Sequence, residues 1–322
     1  MKLVALTEDR IQDVCRLWNQ GLAPDFPIRE RIVKQNVFQD RNFLPQGSWL
    51  AVEEATGKAI GFVVSKVWQD SKYDIEFSSE DGWIHALMVD PDHRNQGIGS
   101  ELLRQAESAL HGRGVRRVSL GNDFHRRVLP GVPHELAAAK RWFERNGYAY
   151  QGMTHDLVNH YDAKAQVALP QFENVVFRLA QPNEEDQVIA FMKRCFPGRW
   201  EYQTRQYWQL GGTGREFVVL EREEDIIGFC RINDSQSPIL AQNVYWAPLF
   251  QGELGGIGPL GIDEKYRGLN YGLAIVQAGI HYLLQRGASH IVIDTTPYVD
   301  FYGKHGFSVW KSYDRFQKVL EA

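Results

Sequence analysis

Two short segments of the chain combine an arginine with closely spaced glycines, a pattern suited to binding an anion. In the first, Arg94 is followed by Gly97 and Gly99, and the second begins 173 residues further on, at Arg267. Each segment follows a short apolar run and precedes an apolar pattern of helical spacing. Because unpaired backbone N–H groups at such a helix start point toward a ligand, each loop could hold a diphosphate.

The elements that must position the first loop are predicted from the spacing of apolar residues. We expect strands over residues 2–6, 49–53, 59–68 and 84–89, and helices over residues 10–21, 28–38 and 97–111. The last of these strands leads into the loop, and the last helix begins within it. The second half repeats this order from about residue 175. Residues 151–174 are interpreted as a final strand pair of the first domain followed by a polar linker.

An internal repeat extends on both sides of the two loops. Three further pairs of segments match: residues 59–64 with 226–231, 113–120 with 286–293, and 142–148 with 301–307. The offset falls from 173 to 159 residues in the last pair, which leaves 14 extra residues in the first copy, around residues 124–135. A repeat of this length indicates a duplicated domain. We therefore predict two domains, residues 1–165 and 166–322.

Both loops resemble the acetyl-CoA loop of the GNAT acetyltransferase superfamily, written Arg/Gln-x-x-Gly-x-Gly/Ala after the fourth strand. Arg94, Gly97 and Gly99 match it fully, whereas Asn270 takes the first glycine position of the second loop. Asparagine tolerates the left-handed backbone region well, so this loop is expected to form but to bind more weakly. The resemblance implies an α/β (α+β) fold of two tandem GNAT-type domains, each a mixed, mostly antiparallel sheet flanked by helices.

The resemblance also implies acetyl-CoA as co-substrate and a set of residues that bind it in each copy. They are Met88, Val89, Arg94, Asn95, Gln96, Gly97, Ile98 and Gly99 in the first copy, and Leu260, Ile262, Arg267, Gly268, Leu269, Asn270, Tyr271 and Gly272 in the second.

Acetyl transfer to an amine also needs stabilisation of the carbonyl oxyanion and a proton for the departing thiolate. In GNAT enzymes a backbone N–H of the fourth strand serves the oxyanion, and a tyrosine after the fifth strand often protonates the sulfur. Tyr302 occupies that position in the second half, whereas its counterpart in the first half, Phe143, has no proton to donate. The second half is therefore predicted to be the catalytic one, with Tyr302 as general acid.

The general base stays open. The candidates are Glu253, Asp294 and Asp300 in the second half, and Glu76, Glu80 and His85 in the first. The 14-residue insertion contains two prolines and a glycine, which predict a stiff, non-helical loop beside the acceptor side of the cleft. It could shape a substrate pocket, cover the domain interface, or be a surface loop without a chemical role.

Several other classes of protein are excluded. The segment Gly256–Gly261 fits Gly-x-Gly-x-x-Gly but precedes a strand and contains Pro259, so a Rossmann site is rejected. Neither a His-Glu-x-x-His helix nor a Cys-x-x-Cys pair occurs, and we predict no metal. The net charge of -4 gives no general attraction to nucleic acid or anionic membranes. Without a signal-peptide core, a membrane-length apolar stretch or paired cysteines, the expected location is the cytoplasm.

The sequence thus predicts an N-acetyltransferase that moves acetyl from acetyl-CoA to a primary amine of a small molecule. An amino sugar, an aminoglycoside-like compound, an amino acid derivative and a polyamine all remain possible acceptors, and the oligomeric state stays open. The alternative is an acyl-CoA-binding sensor or scaffold in which one or both domains are not catalytic.

Overall fold

This computed structural model describes residues 1–75, 77–162 and 164–320. Glu76 therefore lies outside the described residues. The chain forms two compact units: unit 1 comprises Met1–Thr154 and Ser312–Ala322, and unit 2 comprises His155–Lys311. Division of the chain at residue 165 into two separately folding domains stays a prediction.

Apart from β6, the helices and strands follow one another in the same order in both copies of the repeat. In chain order they are β1 (Lys2–Ala5), α1 (Ile11–Leu22), α2 (Glu30–Val33), β2 (Trp49–Val52), β3 (Ala59–Val67), β4 (Asp81–Val89), α3 (Ile98–Gly112), β5 (Arg117–Leu120), β6 (Val132–Pro133), α4 (Ala137–Arg145), β7 (Ala149–His160), β8 (Val176–Leu179), α5 (Glu185–Cys195), α6 (Arg199–Gln209), β9 (Phe217–Arg222), β10 (Asp225–Asn233), β11 (Glu253–Ile262), α7 (Tyr271–Gln285), β12 (Ala288–Thr296), α8 (Val299–Gly303) and β13 (Ser308–Val319).

Each unit contains a mixed sheet in which one pair of strands is parallel. In unit 1 the strand order is β1-β2-β3-β4-β5-β13, and β4 and β5 run parallel while the other neighbouring strands described here are antiparallel. In unit 2 the order is β8-β9-β10-β11-β12-β7, where β11 and β12 are the parallel pair among the described residues. The segment Gly256–Gly261 lies within β11 and does not open a helix.

The helix after each fourth strand packs on its sheet because its apolar residues recur at helical spacing. In α3, Leu102, Leu103, Ala106 and Leu110 lie on one face and are buried in the core of unit 1. Burying one leucine side chain stabilises a fold by about 1.5–3 kcal/mol, so this face fixes the helix on the sheet. The start of the helix, and with it the loop, is held in place.

The end of each sheet differs from the prediction for residues 151–174. This stretch contains one strand, β7, and from His155 onward it pairs with β12 in unit 2, where His160 lies opposite His290. In unit 1 the matching place beside β5 is taken by the end of β13, where Gln317 lies opposite Ser119. The backbone N–H and C=O groups at the edge of a sheet pair with those of a neighbouring strand. The apolar pattern of the sequence does not show which strand becomes that neighbour.

The helix expected over residues 28–38 is also shorter than predicted. Helix α2 ends at Val33 and continues as a wider π-type turn, Lys34–Phe38. The backbone carbonyls of Gln35 and Gln39 each accept a hydrogen bond from Arg126 Nη1 at 2.8 Å. Arg126 comes from the 14-residue insertion, so a distant part of the chain binds carbonyls that a helix over residues 28–38 would leave unpaired.

The insertion is largely buried in unit 1. Phe124, His125, Arg126 and Val128 are all buried side chains. The interpretation as an exposed surface loop is therefore wrong. In the described part of the chain, no helix combines the length and apolar character needed to cross a membrane.

Candidate active site

In unit 1, strands β4 and β5 separate halfway along β4. Their parallel pairing ends at Ile84 opposite Leu120, whereas β4 stays paired with β3 as far as Val89. Among the described residues, the end of β4 over residues 85–89 therefore has a partner strand on one side only. The opening leaves backbone N–H groups of β4 available to a ligand that enters between the strands.

A β-bulge lies where the two strands separate. Val64 pairs with Ala86 and Ser65 with Ile84, so His85 has no opposite residue in β3. Bulges re-aim side chains and are over-represented beside active sites.

The loop after β4 leaves the first N–H groups of α3 open. The Asp90 side chain accepts a backbone hydrogen bond and starts a short 3-10 turn, Pro91–His93. Asn95, with φ of 61°, and Gly97, with φ of 81°, take left-handed backbone conformations before α3 begins at Ile98. The N–H groups of the first helical turn then point away from the helix, as a diphosphate requires.

A cavity of about 600 Å³ opens at this loop. Seven of the eight residues predicted to bind CoA in this half line it: Met88, Val89, Arg94, Asn95, Gly97, Ile98 and Gly99. Trp18 of α1, His85 of β4, Leu129 of the insertion and Phe143 of α4 line the same cavity. It is large enough for part of a CoA molecule, and its occupation by CoA stays a prediction.

Unit 2 repeats the separation of strands. The pairing of β11 with β12 ends at Ile257 opposite Ile293, while β11 continues beside β10 to Ile262. Here Gly258 and Pro259 both lie opposite Arg231, so the bulge falls at the position equivalent to His85. The same position therefore carries a histidine in one unit and a glycine in the other.

The two arginines of the loops have equivalent contacts. Arg94 Nε donates a hydrogen bond to Val89 O, and Arg267 Nε donates one to Ile262 O, both at 3.2 Å. Each arginine thereby ties the end of its loop to the end of the preceding strand. Conservation of this bond between the copies explains why the arginine belongs to the pattern.

The left-handed positions also correspond, with their residue types reversed. Asn95 and Gly97 take them in unit 1, and Gly268 (φ 82°) and Asn270 (φ 62°) take them in unit 2. Each loop thus uses one glycine and one asparagine to reach the same backbone path. Asn270 adopts the left-handed conformation expected of it, as the start of α7 at Tyr271 requires.

The first loop gives a prediction for Gly97→Val. Apart from its chain neighbours, no residue that the structure describes lies within 4 Å of a side-chain carbon added at Gly97, so the substitution costs the fold only backbone strain, about 1–2 kcal/mol. The branched side chain would occupy the space that the diphosphate approaches, and we expect CoA affinity at unit 1 to fall about tenfold or more. Gly114→Val is the matched control, because Gly114 has φ of 84°, equally open surroundings and lies after the other end of α3. Equal CoA binding by the two variants in titration calorimetry would contradict the assignment.

The second loop gives a prediction for Asn270→Gly. Removal of the side chain relieves left-handed strain and allows closer approach of the diphosphate, so CoA binding at unit 2 should tighten by about two- to fivefold. Asn95→Gly is the control, since it makes the same change in the other loop and should leave unit 2 unaffected. Two sites of equal affinity in the unchanged protein, or no gain in Asn270→Gly, would refute the expected weakness of the second loop.

Comparison with known proteins identifies this arrangement of split strands and loops. The profile of the Acetyltransferase (GNAT) family matches residues 12–129 and 185–307, once in each copy of the repeat. The chain belongs to this family. The predicted family, the tandem arrangement and the fold class are thereby confirmed, and the chain is an acyltransferase by class. GNAT proteins use acetyl-CoA, as predicted for the co-substrate.

Individual relatives are more distant. Mycothiol acetyltransferase of Arthrobacter sp. (strain FB24) is 26% identical over 239 residues, 70% of this chain and 66% of that protein. The GCN5-related glucosamine N-acetyltransferase region of a fungal multi-domain GH3 beta-N-acetylglucosaminidase has a TM-score of 0.84 at 23% identity, covering 98% of this chain and 38% of that one. A tandem GNAT protein from the clavulanic acid biosynthesis pathway has a TM-score of 0.70 at 12% identity, covering 100% and 99%. The chain thus spans about two thirds of the curated relative's length, and the two structures show the fold alone.

The tyrosine at the GNAT acid position of unit 2 is buried beside other polar groups. Tyr302, on α8, is 8% exposed. Burial raises the pKa of its phenol well above the ordinary value, and Cys230, Asp294 and Tyr298 add to the shift. No residue that the structure describes forms a hydrogen bond with the hydroxyl. The phenol is therefore protonated at neutral pH and has its proton available.

The candidate bases of unit 2 fall in different places. Glu253 begins β11 and accepts a hydrogen bond from the Ser235 N–H at 3.1 Å, about 16 Å along the strand from the bulge at Gly258. Asp294 follows Ile293, the last residue of β12 that pairs with β11. Its Oδ1 would lie 3.7 Å from a side-chain carbon added at Gly258. The structure therefore brings Asp294, but not Glu253, to the opening of the strands.

Three polar side chains near this opening were missed by the sequence analysis. The Arg231 guanidinium lies over the rings of Tyr207 and Phe217, at 5.4 and 5.8 Å, and its Nε has no hydrogen-bond partner among the described residues. Both polar side-chain atoms of buried Asn233 and Oδ1 of Asn243 likewise have no hydrogen-bond partner among the described residues. Asn243 Nδ2 donates to Asp294 Oδ1 at 2.8 Å. The signal available in the sequence was an arginine and an asparagine at alternate positions of an otherwise apolar strand.

Unit 1 has a buried cluster of charges at the equivalent place. Lys66 Nζ lies 2.9 Å from carboxylate oxygens of both Asp40 and Asp123. It also donates to the backbone carbonyls of His125 and Arg126 at 3.2 Å. Buried charges persist only when they are paired, so this cluster holds the insertion against the sheet.

Proposed function

We propose that unit 2 transfers acetyl from acetyl-CoA to the primary amine of an amino sugar. The observation that carries the proposal is the hydroxyl of the buried residue Tyr302, which has no hydrogen-bond partner among the described residues and lies on the helix that follows the split strands. A phenol of raised pKa is protonated at neutral pH, so it holds a proton that the departing thiolate can take, and burial makes that thiolate more basic as well.

The split between β11 and β12 suits the thioester. Beyond Ile257 the edge of β11 that faces β12 is open, so a backbone N–H there can donate to the carbonyl oxygen as negative charge develops. The diphosphate end of acetyl-CoA would lie at the start of α7, on the loop that Arg267 holds. The residues of both loops are proposed as the CoA contacts of their own unit.

The reaction then balances without an additional reactant. The amine nitrogen forms a bond to the carbonyl carbon, and the bond between that carbon and sulfur breaks. The amine loses a proton to Asp294, directly or through water, and the thiolate gains one from Tyr302. Asp294 is the best placed of the candidate bases because it lies at the bulge and already accepts a hydrogen bond from Asn243.

The polar side chains near the opening support a hydroxyl-rich acceptor. Arg231, Asn233 and Asn243 offer buried donors and acceptors without partners in the described part of the chain, and such groups need hydrogen bonds. The hydroxyl groups of a sugar ring can supply them. The name of one similar protein, a glucosamine N-acetyltransferase region, points in the same direction.

A second candidate, acyl-CoA binding without catalysis, is favoured by one observation in unit 1. Phe143 occupies the position of Tyr302 there, buried edge-on against Trp142 and Tyr148. Unit 1 therefore lacks the GNAT acid and could hold CoA for a structural or sensory purpose.

A panel of amines tests the proposal. The full chain is incubated with acetyl-CoA and glucosamine, cyclohexylamine or N-acetylglucosamine, and both thiol release and the mass of the product are followed. We expect the highest kcat/KM with glucosamine, a lower value with cyclohexylamine, which lacks hydroxyl groups, and no transfer to N-acetylglucosamine, whose nitrogen is blocked. CoA binding without an N-acetylated product from any amine would favour the binding function instead.

A further inference from the structure

The histidine at the bulge of unit 1 is oriented like a catalytic base. His85 is 3% exposed, and its Nδ1 lies 3.0 Å from Asp123 Oδ1. A carboxylate bound to one ring nitrogen fixes the orientation of the imidazole and directs its other nitrogen elsewhere. That nitrogen, Nε2, is buried and has no hydrogen-bond partner among the described residues.

His85 also lines the cavity that holds the first loop. The wall contains Gly97 and Gly99 of the loop and the open end of β4, the same parts that face acetyl-CoA in a GNAT site. His85 is thus a wall residue of a cavity with a diphosphate loop and a carbonyl-binding strand edge, and its buried Nε2 has no partner among the described residues. Burial, and next the charge of Lys66, lower the pKa of His85, which keeps the imidazole neutral and able to accept a proton.

We propose that unit 1 is a second acetyl-transfer centre, in which His85 Nε2 is the general base and Asp123 positions it. Tyrosine is not required in such a site, because one imidazole can serve both proton transfers. The amine attacks the thioester carbonyl, the carbon–sulfur bond breaks, and the amine proton passes to Nε2. The imidazolium then returns this proton to the thiolate, which leaves neutral His85 and free CoA thiol.

The lining of the cavity indicates a different acceptor from that of unit 2. Trp18 and Leu22 of α1 and Leu129 of the insertion are apolar, and they line the cavity together with His85. The insertion that carries Leu129 is fixed by the bonds of its backbone to Lys66. A compact primary amine with an apolar body fits these surroundings better than a sugar does.

The experiment uses the full chain with Tyr302→Phe, which removes the acid of unit 2. Acetyl-CoA is supplied with n-butylamine or cyclohexylamine, and the N-acetylated product is measured by mass spectrometry. We expect product to form, and His85→Asn in the same background to reduce its rate about 100-fold or more. Asparagine is chosen because its side-chain N–H can replace the Nδ1 contact with Asp123 while no group replaces Nε2. Thermal unfolding and CoA titration of the double variant show that the fold and the loop are intact.

Three outcomes would overturn the proposal. They are the absence of product from either amine, an equal rate with and without His85→Asn, and thiol release without an N-acetylated amine. The proposed function of unit 2 is tested separately by Tyr302→Phe alone, which should lower acetylation of glucosamine while unit 1 continues to acetylate the apolar amines. Failure of one proposal is therefore distinguishable from failure of the other.

Discussion

Tyr302→Phe is expected to lower kcat for the amino-sugar acceptor by about 100- to 10,000-fold, the usual contribution of a general acid. Only the hydroxyl is lost, and no described residue hydrogen-bonds to it, so the fold should keep its stability. The loss should fall on kcat, because binding of acetyl-CoA in the ground state needs little from this hydroxyl. Steady-state kinetics with glucosamine, together with CoA titration, measure both quantities.

Tyr282→Phe is the matched control for this experiment. Tyr282 lies on α7 in the same unit, and its hydroxyl donates to the Phe177 backbone carbonyl at 3.4 Å. It is separate from the proposed acid, so turnover should stay close to that of the unchanged protein. If Tyr302→Phe kept near-normal turnover of glucosamine while Gly97→Val abolished it, catalysis of that acceptor would belong to unit 1.

Lys66→Met is expected to destabilise unit 1 by about 3–5 kcal/mol, because it leaves two buried carboxylates without their cation. Lys66 is fully buried between Asp40 and Asp123. Interaction with this lysine offsets the cost of burial and holds the pKa of both carboxyls below the ordinary value. The first unfolding transition should fall by about 6–20 °C, measured by differential scanning calorimetry.

Lys58→Met serves as the control for the buried lysine. Lys58 lies just before the same strand, and its side chain is half exposed, 3.9 Å from Asp90. Exposed ion pairs contribute about 0–1 kcal/mol, so this variant should unfold close to the unchanged protein. Equal unfolding temperatures for Lys66→Met and Lys58→Met would show that the cluster does not hold the insertion in place.

The sequence determined the family and the two loops because both depend on neighbouring residues. Arg94 and Gly97 lie three positions apart, and the arginine bond to Val89 O spans only five. The left-handed conformation at Gly97 likewise follows from residue type. The order of strands and helices could be predicted because each element carries its own apolar spacing, and the repeat supplied a second copy of the same evidence.

Contacts between distant residues were decided by the tertiary structure alone. Lys66 and Asp123 are 57 positions apart, and nothing in either segment indicates that they form an ion pair. The burial of the insertion depends on that pair and on the hydrogen bonds from Arg126 to two carbonyls after α2. The choice of the last strand in each sheet depends in the same way on long-range pairing.

The two candidate catalytic residues, Tyr302 and His85, differ in how far the sequence alone could identify them. The position of Tyr302 could be read from the repeat, because it lies four residues before a glycine and an aromatic residue that both copies place after the fifth strand. The sequence offered His85 only as one of three candidate bases in the first half, since its bond to Asp123 and its place in the cavity wall are visible only in the folded chain. Local sequence fixes backbone conformation, but the environment of a side chain is set by whatever part of the chain packs against it.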